Sequence, residues 1–206
     1  MMRTRLGATF LLAALMLAGC PAGGPAKLTT DWPERAPAYD DALATWTRKD
    51  RAYSGVDLAL AIEATFLAPE WRAAYVAEQI KRAHLTEAEA SALRAKQEQE
   101  TADVWQFLVA AETHEYSAND LSRKSRSMWT MTLIGPSGRT VAPSDVRADT
   151  RSRAELQGWF PNLGPFQKAY LITFPRVVDG QPVLEEGQPV RLRIGSTLGT
   201  VQLTWN

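Results

Sequence analysis

"VRLRIGSTLGTVQLTW", residues 190–205, decides the fold class. Val190, Leu192 and Ile194 alternate with Arg191 and Arg193, and Val201, Leu203 and Trp205 alternate with Thr200, Gln202 and Thr204. A period of two puts the apolar side chains on one face of an extended chain, so each run reads as a strand with one buried face. Gly195 to Gly199 turns the chain between them, which makes a β-hairpin. Trp205 closes the second run, and a side chain of that size predicts a last strand locked into the core.

The same period recurs upstream. Asp179-Gly180 between Val178 and Gln181 is a hairpin-turn signal. Phe166 to Phe174 reads as a strand with Tyr170 and Ile172 on the side of Phe166. Trp129, Met131 and Leu133 alternate with Thr130 and Thr132, and Gly135-Pro136-Ser137-Gly138 then forms a turn. Trp105, Phe107, Val109 and Ala111 alternate as well. Several short strands with regular turns predict a sandwich.

Between Pro69 and Ala102 the period becomes helical. Pro69 suits a first helical position, Trp71 and Tyr75 lie four apart, and Val76, Ile80 and Ala83 continue an apolar side. Thr86-Glu87-Ala88-Glu89 is a capping box that starts a second helix. This helix has few large apolar residues, so the hairpin at about 69–102 is expected to have a mostly solvated second arm. Tyr39, Leu43 and Trp46 share a face at helical spacing, so Tyr39 to Tyr53 reads as a short helix. Val56 to Glu63 alternates and reads as a half-buried strand, with a helix over 56–66 as the alternative. The expected fold is therefore α+β. It is an immunoglobulin-like antiparallel β-sandwich, with the helical hairpin inserted after its first strand or attached as a subdomain.

The chain has 206 residues, with 23 Lys plus Arg balancing 23 Asp plus Glu. Met1 to Arg5 is short and basic, and Leu6 to Gly19 is uncharged and rich in Leu and Ala. That is the layout of a secretory signal, and the apolar run is too short for a spanning helix. Its end, Leu17-Ala18-Gly19-Cys20, contains the only cysteine of the chain. It resembles the lipobox of bacterial lipoproteins. The resemblance implies a signal peptide over 1–19, cleavage before Cys20, and acylation of the Cys20 thiol. The implied partner is membrane lipid, held through two or three acyl chains, and one chain alone would anchor only marginally. Pro21 follows the cysteine, where an Asp commonly retains such proteins at the inner membrane. In a Gram-negative cell the implied location is therefore the outer membrane, facing the periplasm.

Residues 20–37 hold Pro21, Gly23, Gly24, Pro25, Pro33 and Pro37, and read as a tether. Residues 38–206 read as a single domain. Loss of Arg3 and Arg5 with the signal leaves two more acidic than basic residues, which argues against nucleic acid as a partner. With Cys20 acylated no disulfide is available, so cohesion falls to packing, for which seven Trp, six Phe and five Tyr supply the surface. With the lipobox, "ATFLAPEWRAAY" (64–75) and "FQKAYLITFP" (166–175) resemble proteobacterial lipoproteins that have a β-sandwich C-terminal half. That resemblance carries no chemistry with it.

No catalytic constellation is legible, and no cofactor or metal is expected. Glu112, His114 and Glu115 would need a ligand from another loop to hold a metal ion. His84, the other histidine, falls in the turn between the two helices. Serine chemistry has no activated hydroxyl, and the pairs Asp40/Asp41 and Glu185/Glu186 are adjacent, so extended backbone points them apart. Two basic clusters, Arg123/Lys124/Arg126 and Arg147/Arg151/Arg153, read as solvated loops or as phosphate-facing groups. Trp159, Phe160 and Leu163 lie in a Pro/Gly-rich connection, where such residues cap a sandwich end or form an exposed patch that binds a partner. The expected function is a lipid-anchored, non-enzymatic envelope module for interaction or assembly, with an envelope protein as its partner. A hydrolase or modifying enzyme centred on His114, and a carrier of an apolar ligand, are the alternatives.

Overall fold

The computed structural model describes residues 35–206 except Glu186; of Lys124 and Ser125 it describes the backbone alone. The signal peptide, Cys20 and nearly all of the tether lie outside the described residues. The described chain is an α+β unit with four helices and two antiparallel sheets. No helix in it is long and apolar enough to cross a membrane.

Helix α1 (Pro37–Trp46) runs into strand β1 (Thr47–Ser54), which pairs with β2 (Asp57–Phe66). Helices α2 (Pro69–Ala83) and α3 (Glu87–Thr101) follow, then β3 (Val104–Glu112). Two 3-10 turns at Tyr116–Ala118 and Leu121–Arg126 lead to β4 (Thr130–Ile134), β5 (Thr140–Val141) and β6 (Asp145–Ala148). Helix α4 (Arg153–Trp159) precedes β7 (Lys168–Pro175) and the small ribbon β8 (Val177–Val178) and β9 (Gln181–Pro182). The chain ends in β10 (Val190–Ser196) and β11 (Gly199–Trp205). One sheet has the order β1-β2-β3-β7-β6 and the other β11-β10-β4-β5.

Local chemistry places the turns as expected. Asp179 and Gly180 both have positive φ (52° and 74°), as a two-residue hairpin loop requires, and join β8 to β9. The Thr86 side chain accepts the Glu89 amide, and the Glu89 carboxylate accepts from the Thr86 amide, so the capping box is formed. Helix α2 stops at His84, whose backbone is left-handed at φ 50°. Helix α3 buries only Ala90 and Thr101, and is the solvated arm.

The main core joins both sheets. It contains Leu60, Ile62 and Phe66 of β2, Phe107 and Val109 of β3, and Ile172 and Phe174 of β7, with Leu133, Leu192, Ile194, Leu203 and Trp205 from the other sheet. Trp205 is 1% exposed and packs on Phe107 and Phe66 at ring distances of 5.3 and 6.1 Å. Its Nε1 donates to the Trp46 carbonyl at 2.7 Å, while the Gln202 amide donates to Asp50 Oδ2 and Arg48 Nε to the Thr204 carbonyl. The last strand is thereby pinned to the first strand of the opposite sheet. Tyr170 ties down the connection from β3 to β4. Its hydroxyl donates to Asn119, whose side-chain amide donates to the Ala111 carbonyl at 2.6 Å, and burial pushes the phenol up to about 12.

Four readings of the sequence need correction. The segment 39–53 is not one helix: it turns into β1 at Thr47. Only Ala52 of β1 is buried, so this edge strand carries no apolar alternation, and its charged side chains suit an edge. The tether ends earlier than residue 37, because Pro37 opens α1 and the Ala36 amide donates to Glu78 Oε2. Residues 57–66 are a strand, not a helix, but Val56 lies in the turn and is 95% exposed, and the strand is covered on both faces for most of its length. Phe166 is outside β7 and 73% exposed, because a turn closed by the Gln167 amide on the Gly164 carbonyl delays the strand to Lys168. The helical hairpin is inserted between β2 and β3, which pair directly with each other.

The position of Trp205 makes it the strongest single test of this core. Trp205→Ala is expected to cost about 3–5 kcal/mol in chemical denaturation, against less than about 0.5 kcal/mol for Val56→Ala in its exposed turn.

Candidate functional site

The outer face of the five-stranded sheet carries a second core. Leu108, Ala110 and Ala169 meet Tyr39 and Leu43 of α1, Trp71 of α2, Leu156 of α4, and Phe160 and Leu163 after it. Alternation puts Leu108 and Ala110 on the face opposite Phe107 and Val109, so β3 is buried on both sides. The aromatic members interlock. Trp71 stacks on Tyr75 at 4.9 Å and on Phe160 at 5.9 Å, while Trp159 meets Tyr75 edge-on at 4.7 Å.

This arrangement places the loop read as a partner-binding candidate. Phe160 and Leu163 are buried, at 8% and 6% exposure, and Trp159 is half-buried. The Trp159 carbonyl accepts from the Tyr39 hydroxyl, and the Arg82 guanidinium lies 4.3 Å over its ring. The apolar groups of the loop are therefore turned into the helical layer.

Where that layer stops short, a cleft of about 880 Å³ opens above the sheet. Its floor is Gln106 and Leu108 of β3 and Leu171 of β7. One wall is Trp71, Arg72 and Tyr75 of α2, with Gln97 and Glu100 of α3 beyond them. The other is Arg147 of β6, the segment Asp149–Arg151, and Phe160. Register explains part of the grouping: Leu108 pairs with Leu171, and Leu171 with Arg147, so the three form a row across the sheet.

Arg72 is held in place by neutral acceptors. Its Nε donates to the Leu67 carbonyl at 3.0 Å, Nη2 to Gln106 Oε1 at 2.7 Å and Nη1 to Gln97 Oε1 at 3.4 Å. Burial and the repulsion of Arg176 push its pKa down to about 10, still well above neutrality. Arg151 is paired: Nε and Nη2 grip the Asp149 carboxylate at 2.6–3.2 Å. Burial opposes ionisation of Asp149, but these hydrogen bonds outweigh it and its pKa lies below the ordinary range. Burial pushes the Tyr75 phenol up.

Behind the α2 wall, Glu78 is buried and accepts from Arg82 Nε at 2.7 Å and from the Ala36 amide at 3.1 Å. This clamp ties the first described residues to α2 and fixes the wall one turn from Tyr75. On the far side of α2, a groove of about 530 Å³ runs between Ala73, Val76, Ala77 and Ile80 and the polar face of α3.

Other sequence candidates are placed elsewhere. His114 is exposed at the end of β3, where its amide bonds to the Leu58 carbonyl, and His84 is exposed in the inter-helix turn. Among the described residues no group of three or more His, Cys, Asp or Glu converges on a point. Arg123 and Arg126 are exposed on the second 3-10 turn. Arg153 turns away from the cleft to the Gly164 and Gln167 carbonyls, leaving Arg147 and Arg151 in it. Arg72, Tyr75 and Gln106 were not legible as site residues, because they lie on separate elements with no local motif. Helix α4 had a signal: Ser152 caps it by accepting the Glu155 amide at 3.1 Å, the pattern of a Ser followed three residues later by Glu.

Comparison with protein-family models, with curated proteins and with solved structures finds no match.

The clamp makes stability depend on acid. Burial disfavours the charged form of Glu78, but the bonds from Arg82 and the Ala36 amide prevail and hold its pKa below the ordinary 4.5. A lowered carboxyl pKa stabilises the fold above the unfolded value and loses that contribution as pH falls through the folded one. Stability is therefore expected to fall below about pH 4.5, and Glu78→Gln should flatten that part of the profile. At neutral pH Glu78→Ala is expected to cost about 3–5 kcal/mol in denaturant titrations, because it strands the Arg82 charge.

Proposed function

We propose that this chain is a lipid-anchored, non-enzymatic binding module of a bacterial cell envelope. One observation carries the reading: Leu17-Ala18-Gly19-Cys20 stands at the end of an uncharged run behind a basic start. Acylated Cys20 inserts in the membrane, most naturally the outer membrane facing the periplasm. A short Pro/Gly-rich spacer then leads to a folded unit already clamped at Ala36. Its partner is another component of the same envelope.

We infer further that the sandwich is immunoglobulin-like. With β2, β3, β6 and β7 as strands A, B, D and E, one sheet has the order A-B-E-D preceded by an extra edge strand, β1. With β4, β5, β10 and β11 as C, C′, F and G, the other has the order G-F-C-C′. These orders support the reading, as does buried Trp129 immediately before strand C. The helical hairpin is then an insertion between A and B.

The chemistry of the cleft supports binding over catalysis. Its convergent polar groups are guanidinium, amide, phenol and two carboxylates; a guanidinium near 10 and a phenol raised above its usual value hold their protons at neutral pH, and the Asp149 carboxylate is engaged by Arg151. They recognise a ligand by charge and hydrogen bonding.

Cys20→Ala is the direct test of the anchor. The native chain is expected in the membrane fraction, labelled by a palmitate analogue, and the variant is expected to lose the label and its lipid-dependent gel mobility. A variant that keeps both refutes the lipid anchor.

A further inference from the structure

We propose that the cleft between α2 and β6 is a binding site for a phosphate monoester, with Arg72 and Arg147 as its cationic contacts. The inference rests on the binding-module reading and names the ligand class that the module takes.

Five charged side chains line the cleft: Arg72, Arg147, Arg151, Glu100 and Asp149. Two of these are cancelled by each other, because Asp149 is gripped by Arg151. Glu100 lies 3.8 Å from Lys96, one turn back on α3, and also attracts Arg72. Among the described residues neither Arg72 nor Arg147 has a carboxylate within salt-bridge distance; Glu100 and Asp149 act on them only from farther away. Arg72 spends three of its N–H groups on neutral acceptors, which fix its orientation without reducing its charge. Two N–H groups of that guanidinium remain for a ligand.

Two guanidinium groups on facing walls, neither in a salt bridge, offer a dianion two cationic contacts. A phosphate monoester carries about −1.5 to −2 at neutral pH and offers three acceptor oxygens, and guanidinium matches its geometry. A carboxylate supplies half that charge. The position of Arg72 adds to this. It is partly buried, and burial together with Arg176 lowers its pKa, so an anion beside it relieves an existing repulsion. The floor, with Leu108 and Leu171, is apolar and leaves room for what the phosphate is attached to.

The phosphate can belong to a soluble ester or to a lipid headgroup. The test is calorimetric titration of the full chain in non-ionic detergent with glycerol 3-phosphate and with dihexanoyl phosphatidic acid. Dihexanoyl phosphatidylcholine is the control that lacks a monoester. Saturable binding of glycerol 3-phosphate identifies a soluble ligand. Binding of the phosphatidic acid alone identifies a headgroup whose chains use the apolar floor. In either case Arg147→Gln, at an exposed strand position, is expected to weaken binding roughly tenfold, because it removes one charge-assisted contact. Arg193→Gln, exposed on β10, is expected to leave it unchanged. Absence of saturable binding for both monoesters overturns the proposal, and so does equal binding by the native chain and Arg147→Gln. The titration is read without reference to membrane attachment, so a failed site and a failed anchor are separate outcomes.

Discussion

Strand β3 is apolar on both faces, and the rest of the structure answers to that. Phe107, Val109 and Ala111 must be covered from one side, and Leu108 and Ala110 from the other. A sandwich of two sheets satisfies only the first set. The second requires another layer, and helices α1, α2 and α4 supply it through Tyr39, Leu43, Trp71 and Leu156. At about 25 cal/mol per Å², uncovering a patch of side chains of this size costs several kcal/mol, which is comparable to the whole stability of a domain. The helical layer is therefore part of the fold, although the strand pairing does not need it.

The cleft follows from how that layer ends. Helix α2 covers the sheet above β3, and the segment around Phe160 covers it from the β7 side. Between them the row Leu108–Leu171–Arg147 runs out from under the helices toward the edge strand β6. Along this row the sheet is apolar where it is covered and carries Arg147 where it is not. The aromatic residues Trp71, Tyr75 and Phe160 hold the walls apart at fixed spacing, and Glu78 with Arg82 braces α2 from behind. Packed elements thus wall the cleft on three sides, and the solvated helix α3 bounds it on the fourth.

The strands around the main core were legible because their alternation is strong, and Trp205 announced its own burial. Thr86, Asp179 and Gly180 were legible because capping and hairpin turns leave local chemical signatures. Strand β1 was not, since Thr47–Ser54 is an edge strand of charged residues held by pairing and not by burial. The covering of β2 and β3 on both faces was not, because Ala59, Ala61 and Ala110 are small and read equally well as solvent-facing. The site was the least legible part. Arg147 and Arg151 stood out as a basic cluster, but Arg72 and Gln106 are ordinary residues of a helix and a strand until the fold brings them together. Trp159, Phe160 and Leu163 drew attention by their clustering, and clustering of that kind marks a layer of packing as readily as a surface.

Native-state hydrogen exchange tests the two-sided covering most directly. If the helical layer closes the outer face, the amides of β2 and β3 belong to the slowest-exchanging class, and those of α3, which buries only Ala90 and Thr101, exchange faster by orders of magnitude. Amides of β3 exchanging as fast as those of α3 would mean that the outer face of the sheet is open, and would contradict the account.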